Sequence, residues 1–363
     1  MWYVINIQNG KKLRLFRDRL IIPLFEHMIA YKHEEIAIPF DKYLDEIIKT
    51  STSQLKNVSK HAELFKLTSL IQRKETLEND IKVATLLVYI YKRANNNVSF
   101  SSNVTQLLSK YSENEIRKHL YTYYYQNNAL KSRKAFIDVQ NVPDEWRVVF
   151  KNFYYEKFFN MPQVWERLDG TEYTREKFHD NFKEDNNIYV CPYCDATDVS
   201  DNGNLEIEHF WPESIYPFLA MSPLNLYSTC KSCNRPSTGK GIRTINPMTM
   251  PFYELIGNEV IFKPDIINRK IHIHGKTLAS ENFIKLIKLE ERYSKKGPYH
   301  VVEILSSTIY DTIKQAESHG AVITDEDIAG YVSNKIIPKV QPHYFVTTDI
   351  LKGYNKYLDF LDK

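Results

Sequence analysis

The sequence is short of three things: long apolar runs, net charge and cysteine. No stretch supplies the roughly 18 consecutive apolar residues that a membrane-spanning helix needs. The N-terminus shows no basic segment followed by an apolar one and a small-residue cleavage site. A cytoplasmic protein that does not engage a membrane is the expectation. A formal charge of +3 over 363 residues is too weak to argue for nucleic acid, because electrostatic footprints are local patches. The Gly-Lys dipeptides Gly10-Lys11, Gly239-Lys240 and Gly275-Lys276 do not sit in the spacing of a phosphate-binding loop. There is no internal repeat and no low-complexity run. The four cysteines all fall in two C-x-x-C pairs, Cys191/Cys194 and Cys230/Cys233. In a reducing compartment such pairs are metal ligands or redox centres far more often than disulfides.

What is present is enough chain for two or three cores, since single cores stop growing near roughly 250–300 residues. Residues 2–16 read as a β-hairpin about an Asn9-Gly10 turn. Helix then dominates to about residue 160, with amphipathic spacing in Asp41 to Lys49, in Leu64 to Ile71 and in Leu77 to Lys92. A helix after Pro143 carries Trp146, Phe150, Phe153 and Tyr154. Lys131, Arg133, Lys134, Arg147 and Lys151 interleave with these aromatics and with Tyr121 to Tyr125. The expectation there is an aromatic-rich helical core with solvated basic groups. Glu259 to His274 reads as a second hairpin, and helices are expected at 281–295, 300–319, 325–336 and 347–361. His272 and His274 share one strand face and are read as a polar hairpin face. The fold class is therefore α+β and mainly helical. Its parts are a helical N-terminal domain over 1–165, a central module over 185–250, and a hairpin with helices over 251–363.

The central module is the informative part. Four thiolates make the full tetrahedral set that structural zinc takes, whereas a redox centre needs only one pair. Between the pairs, Leu205, Ile207 and His209 alternate with Glu206 and Glu208, the period-2 pattern of a half-buried strand. Trp211-Pro212 ends it, which allows Glu208 and His209 to serve one site although neighbours on a strand face opposite ways. Asn225-Leu226 and Cys233-Asn234 follow, and then Lys240.

Cys191, Cys194, Glu208-His209, Pro212, Asn225-Leu226, Cys230, Cys233-Asn234 and Lys240 together resemble the HNH endonucleases. The resemblance is to their ββα-metal fold set inside a four-cysteine zinc ribbon. The spelling I-E-H-F-x-P is most similar to the nuclease subunits of Septu-type and retron-associated anti-phage systems. The resemblance covers about residues 188–250.

It implies His209 as general base, with Asn225 orienting it through hydrogen bonds. Glu208 and Asn234 would hold a divalent ion, most readily Mg2+, with Mn2+ or Ni2+ as substitutes. Glu206 is the competing carboxylate. Cys191, Cys194, Cys230 and Cys233 would hold structural Zn2+. Lys231, Arg235, Lys240 and Arg243 are expected to contact phosphates. The implied substrate is DNA, cut to 5′-phosphate and 3′-hydroxyl ends. The defence-type relatives work with an ATPase or sensor partner, for which residues 1–165 offer a docking domain. Two alternatives remain open: a non-catalytic zinc-ribbon module that binds nucleic acid or protein, and an RNA-directed, toxin-like nuclease.

Overall fold

Leu13, Phe16, Leu20 and Leu24 recur at intervals of three and four and are all buried, so the N-terminal segment is a helix. Ile7–Phe16 runs through a wider π-turn, Arg17–Ile21, into Ile22–His33. This corrects the expected hairpin over 2–16. Asn9 does not turn the chain: its carboxamide donates to Phe178 O at 2.9 Å and accepts from Tyr173 Oη at 2.5 Å and from Asn181 Nδ2 at 3.0 Å. Those tertiary bonds satisfy the side chain that a local turn would otherwise use.

The computed structural model describes residues 4–132, 142–249, 251–253, 256–335 and 337–351. Arg133 and Lys134, the first residues of the expected N-terminal hairpin and the end of the expected last helix lie outside these. The fold is mainly helical with a few short strands. Phe40–Phe65 and Thr68–Tyr91 form a long helical hairpin, reversed at Lys66, whose φ of 51° is left-handed. The short strands β1 (Ala94–Asn95) and β2 (Val98–Ser99) precede the helices Phe100–Lys110 and Glu113–Lys131. Ser112 and Glu115 close a reciprocal capping box at the start of the latter.

Two antiparallel strand pairs follow. β3 (Leu205–His209) pairs with β4 (Leu226–Cys230), His209 opposite Leu226 and Leu205 opposite Cys230. β5 (Val260–Asp265) pairs with β6 (Lys270–Gly275), as expected of the second hairpin. Helices Leu278–Leu286, Leu289–Tyr293, Lys296–Ser318, Asp325–Lys335 and Tyr344–Leu351 complete the described chain. No described helix is long and apolar enough to cross a membrane.

Packing does not stop at the boundary expected near residue 165. The core of the N-terminal helices continues into Ile207, Phe218, Ala220, Met221 and Leu226. Phe218 is wedged edge-on against Phe150 at 4.9 Å and against Trp146 and Tyr123 at 6.1 Å, contacts that each add about 0.5–1.5 kcal/mol beyond burial. The loop between β3 and β4 is thus anchored in the N-terminal core. Of the expected aromatic core, Trp146, Phe150, Phe153, Tyr154 and Tyr123 are buried, whereas Tyr121, Tyr124 and Tyr125 are exposed.

Candidate functional site

The four cysteines come together as the sequence predicts. β3/β4 pairing brings Cys230 level with Leu205, and the one-turn helix Lys231–Asn234 places Cys233 beside it. All four are buried and none is in a disulfide. Cys191 and Cys233 Sγ are 3.8 Å apart, and Cys194 and Cys230 Sγ 4.0 Å. Zinc–sulfur bonds of about 2.3 Å in a tetrahedron require S···S edges of about 3.8 Å, so the thiols suit a structural metal such as zinc. The Cys230 N–H points to Cys191 Sγ at 3.4 Å. Arg292, which sequence reasoning missed, donates to Cys233 Sγ at 3.1 Å and to Thr238 O at 2.8 Å. A guanidinium there offsets the negative charge of a four-thiolate site. Arg292 comes from the C-terminal helices, and nothing local in sequence marks it.

β3 ends at His209, and the strand end is what brings Glu206, Glu208 and His209 to one cleft of roughly 410 Å³, lined also by Asn234, Glu213, Arg175, Tyr155 and Lys240. His209 is 5% exposed. Its Nε2 lies 3.0 Å from Ala220 O. A carbonyl oxygen only accepts, so Nε2 carries a hydrogen. Nδ1 is 3.2 Å from a Glu213 carboxylate oxygen, and the Tyr155 ring packs edge-on to the imidazole at 4.3 Å. Burial lowers the His209 pKa to about 4 while Glu213 pulls it upward.

Asn225 is fully buried, but its carboxamide does not reach His209. It donates to Trp211 O at 2.9 Å and Leu219 O at 3.1 Å, and accepts from Trp211 N at 2.7 Å. Expected as a direct partner of the imidazole, it instead fixes the two backbone segments that carry His209 and Ala220. The reason is that all its amide hydrogens are already taken by those carbonyls.

Glu208 is paired with Lys240 in a buried contact, the two side chains 2% and 1% exposed. Burial pushes the Glu208 carboxyl up to about 7 against the pull of that ammonium. Asn234 donates to Glu206 at 2.9 Å, which leaves its Oδ1 as an acceptor. Glu206 and Glu208 share a strand face, so Asn234 adjoins one and Lys240 the other. The four cysteines form a group of three or more metal-ligating His, Cys, Asp or Glu side chains with closely spaced donor atoms, and no second such group exists among the described residues.

The expected phosphate contacts divide. Lys240 is buried on Glu208, and Arg243 is spent on the carbonyls of Lys240 at 3.1 Å, Leu286 at 2.8 Å, and Gly239. Lys240 is thereby corrected from a phosphate contact to an internal cation, because the Glu208 carboxylate lies beside it, whereas Arg243 stays exposed with its guanidinium bonded to backbone carbonyls. Lys231 donates to Gly203 O at 2.6 Å, and Arg235 is exposed. Arg175, stacked over the Tyr155 ring at 4.8 Å, is a cleft cation that the sequence did not reveal. Lys240 reaches the cleft because the chain folds back over the zinc knuckle: Lys240 N bonds Cys233 O at 2.8 Å and Gly241 N bonds Asn234 O at 2.9 Å. Gly239 allows this approach, since a Cβ there would lie 2.0 Å from Cys233 O. His272 faces Asp265 at 3.7 Å and Glu290 at 3.6 Å, a polar hairpin face.

No protein-family model, no curated protein and no solved structure matches this chain.

Proposed function

We propose that this chain is a metal-dependent endonuclease of the HNH type that hydrolyses DNA phosphodiester bonds, acting as the effector of a bacterial anti-phage system. The observation that carries the reading is the setting of His209. Its Nε2–H is given to Ala220 O, so Nδ1 is the ring nitrogen left to act as base in a cleft that also holds Glu206, Glu208 and Asn234.

Carboxylate and amide oxygens are the donors Mg2+ prefers, and Glu208 with Asn234 Oδ1 would hold it, Glu206 being the other carboxylate within reach. When bound, such an ion supplies positive charge to the scissile phosphate and to the departing 3′ oxygen. His209 Nδ1 takes the proton from the attacking water, and the Glu213 carboxylate beside it stabilises the imidazolium that forms. Water adds to phosphorus as the bond to the 3′ oxygen breaks, giving 5′-phosphate and 3′-hydroxyl ends. Arg235, which is exposed, and Arg175, which lines the cleft while donating to Asn160 Oδ1 at 2.7 Å, are the cations that would meet the phosphate backbone. An ATPase or sensor partner has a ready surface at the tip of the helical hairpin, where Leu64, Leu67 and Ile71 are 67%, 55% and 42% exposed.

A second reading rests on the Glu208–Lys240 pair. With that carboxylate already neutralised, the module could instead be a non-catalytic zinc ribbon that binds nucleic acid or a partner protein. Incubating the chain with plasmid, single-stranded DNA and tRNA, with Mg2+ or Mn2+ and then with EDTA, separates the readings. Metal-dependent nicking of DNA with 5′-phosphate ends supports the first. Binding without cleavage under every metal supports the second, and cleavage of tRNA alone would make the enzyme RNA-directed.

A further inference from the structure

Lys240 holds the carboxylate that the nuclease reading gives to a divalent ion, and the chain is built to bring it there. Its backbone N–H bonds Cys233 O at 2.8 Å, and the N–H of Gly241 bonds Asn234 O at 2.9 Å. The return of the chain therefore hangs on Cys233 and Asn234, one a thiol of the cysteine cluster and the other a proposed ion ligand. Gly239 lets it pass, because a Cβ there would overlap Cys233 O. The Lys240 ammonium then rests on a Glu208 oxygen and on Gly241 O at 2.9 Å, and the Lys240 and Glu208 side chains are almost wholly buried.

Charge decides what this does to an ion. A carboxylate and an ammonium in contact sum to zero, and a divalent cation gains little from a neutral pair in a setting of low dielectric. Nearby oxygens do not make up the deficit. Asn234 Nδ2 is given to Glu206 at 2.9 Å, and beyond the four thiols no cluster of His, Cys, Asp or Glu ligands exists among the described residues. An ion on Glu208 must therefore take the place of the ammonium. Lysine is suited to yield, being a strongly hydrated charge on a flexible stem, and Lys240 lines a cleft into which its head can move. We propose that Lys240 is an exchangeable internal counter-ion: it and the divalent ion exclude each other on Glu208, so Lys240 sets how tightly the site takes up its metal. The inference rests on Glu208 being an ion ligand, as in the nuclease reading, and the test separates the two.

That test is isothermal titration calorimetry of the full chain with Mn2+, comparing the parent with Lys240→Met. The variant is expected to bind about tenfold more tightly or better, and adding Glu208→Gln to it should abolish the gain. By linkage, Mn2+ should also raise the melting temperature of Lys240→Met by more than that of the parent. Should Lys240→Met not fold, the parent chain carries the test. Acetic anhydride labelling read by mass spectrometry reports the freed amine, and Mn2+ is expected to speed acetylation of Lys240 several-fold. In Glu208→Gln, Lys240 should be labelled quickly with or without Mn2+. The proposal is overturned if parent and Lys240→Met bind Mn2+ equally, or if Mn2+ binds the parent and leaves Lys240 acetylation unchanged. If that equal affinity disappears in Glu208→Gln, the ion site stands without the exchange. If neither the parent nor Lys240→Met binds Mn2+ through Glu208, the proposal and the ion assignment fall together.

Discussion

Lys240 and Glu208 form an ion pair that is almost wholly removed from solvent, although 32 positions separate them in sequence and neither lies in a regular helix. Taking two charges out of water costs several kcal/mol for each ion, and their mutual attraction offsets this only while both are present. Lys240→Met is therefore expected to destabilise the protein by roughly 3–5 kcal/mol, because it leaves a buried carboxylate alone. Adding Glu208→Gln should recover most of that loss. Urea unfolding of both single variants and the double variant measures the coupling, and strictly additive losses would contradict it.

The thiol tetrahedron gives a second expectation. The purified chain should carry one zinc ion per molecule by elemental analysis, and Cys233→Ser should lose it. Structural zinc contributes on the order of 10 kcal/mol of folding free energy, comparable to the whole stability of a domain. The variant is thus expected to lose cooperative unfolding of the core around Tyr193, Tyr227 and Phe283, read as a lowered or absent thermal transition.

Gly239→Ala tests how the chain is returned to the cleft. A Cβ would overlap Cys233 O at 2.0 Å, and backbone on that side cannot yield without moving a thiol. Zinc affinity, measured by chelator competition, should fall by about tenfold or more. Gly297→Ala, where a Cβ meets nothing, is the matched control.

His179 predicts a pH dependence. It is 6% exposed and bonded to Ser228 Oγ at 2.7 Å, and burial, aided by Lys183 and Arg175, lowers its pKa to about 4. In the unfolded chain it titrates near 6.5, so the unfolded state binds the extra proton as pH falls. The stability it contributes is complete above about 6.5 and is lost as pH falls toward 4. Between about pH 7 and 5 the loss is at most about 2 kcal/mol, and His179→Gln should flatten the urea-derived slope over that window.

The sequence made the thiols, β3 and the second hairpin legible because each is encoded by local spacing: C-x-x-C, the alternation of Leu205, Ile207 and His209, and the apolar strands about 266–269. What it hid is tertiary. Arg175, Tyr155 and Arg292 reach their sites from distant helices. Lys240 reads as a surface cation because no local pattern shows that Glu208 waits beside it, and none shows that the Leu286 carbonyl accepts from Arg243. Asn9-Gly10 carries a strong turn signal, but Tyr173 and Asn181 satisfy Asn9 inside a helix. Asn225 bonds the backbone of Trp211 and Leu219 instead of His209, a tertiary arrangement that no local spacing shows.

His209→Ala tests the central claim most directly. If Nδ1 is the general base, Mg2+-dependent nicking of supercoiled plasmid should fall by about 10²–10⁴-fold, while zinc content and melting temperature stay close to those of the parent chain. Cleavage that persists in the His209→Ala protein at the parental rate would contradict the account.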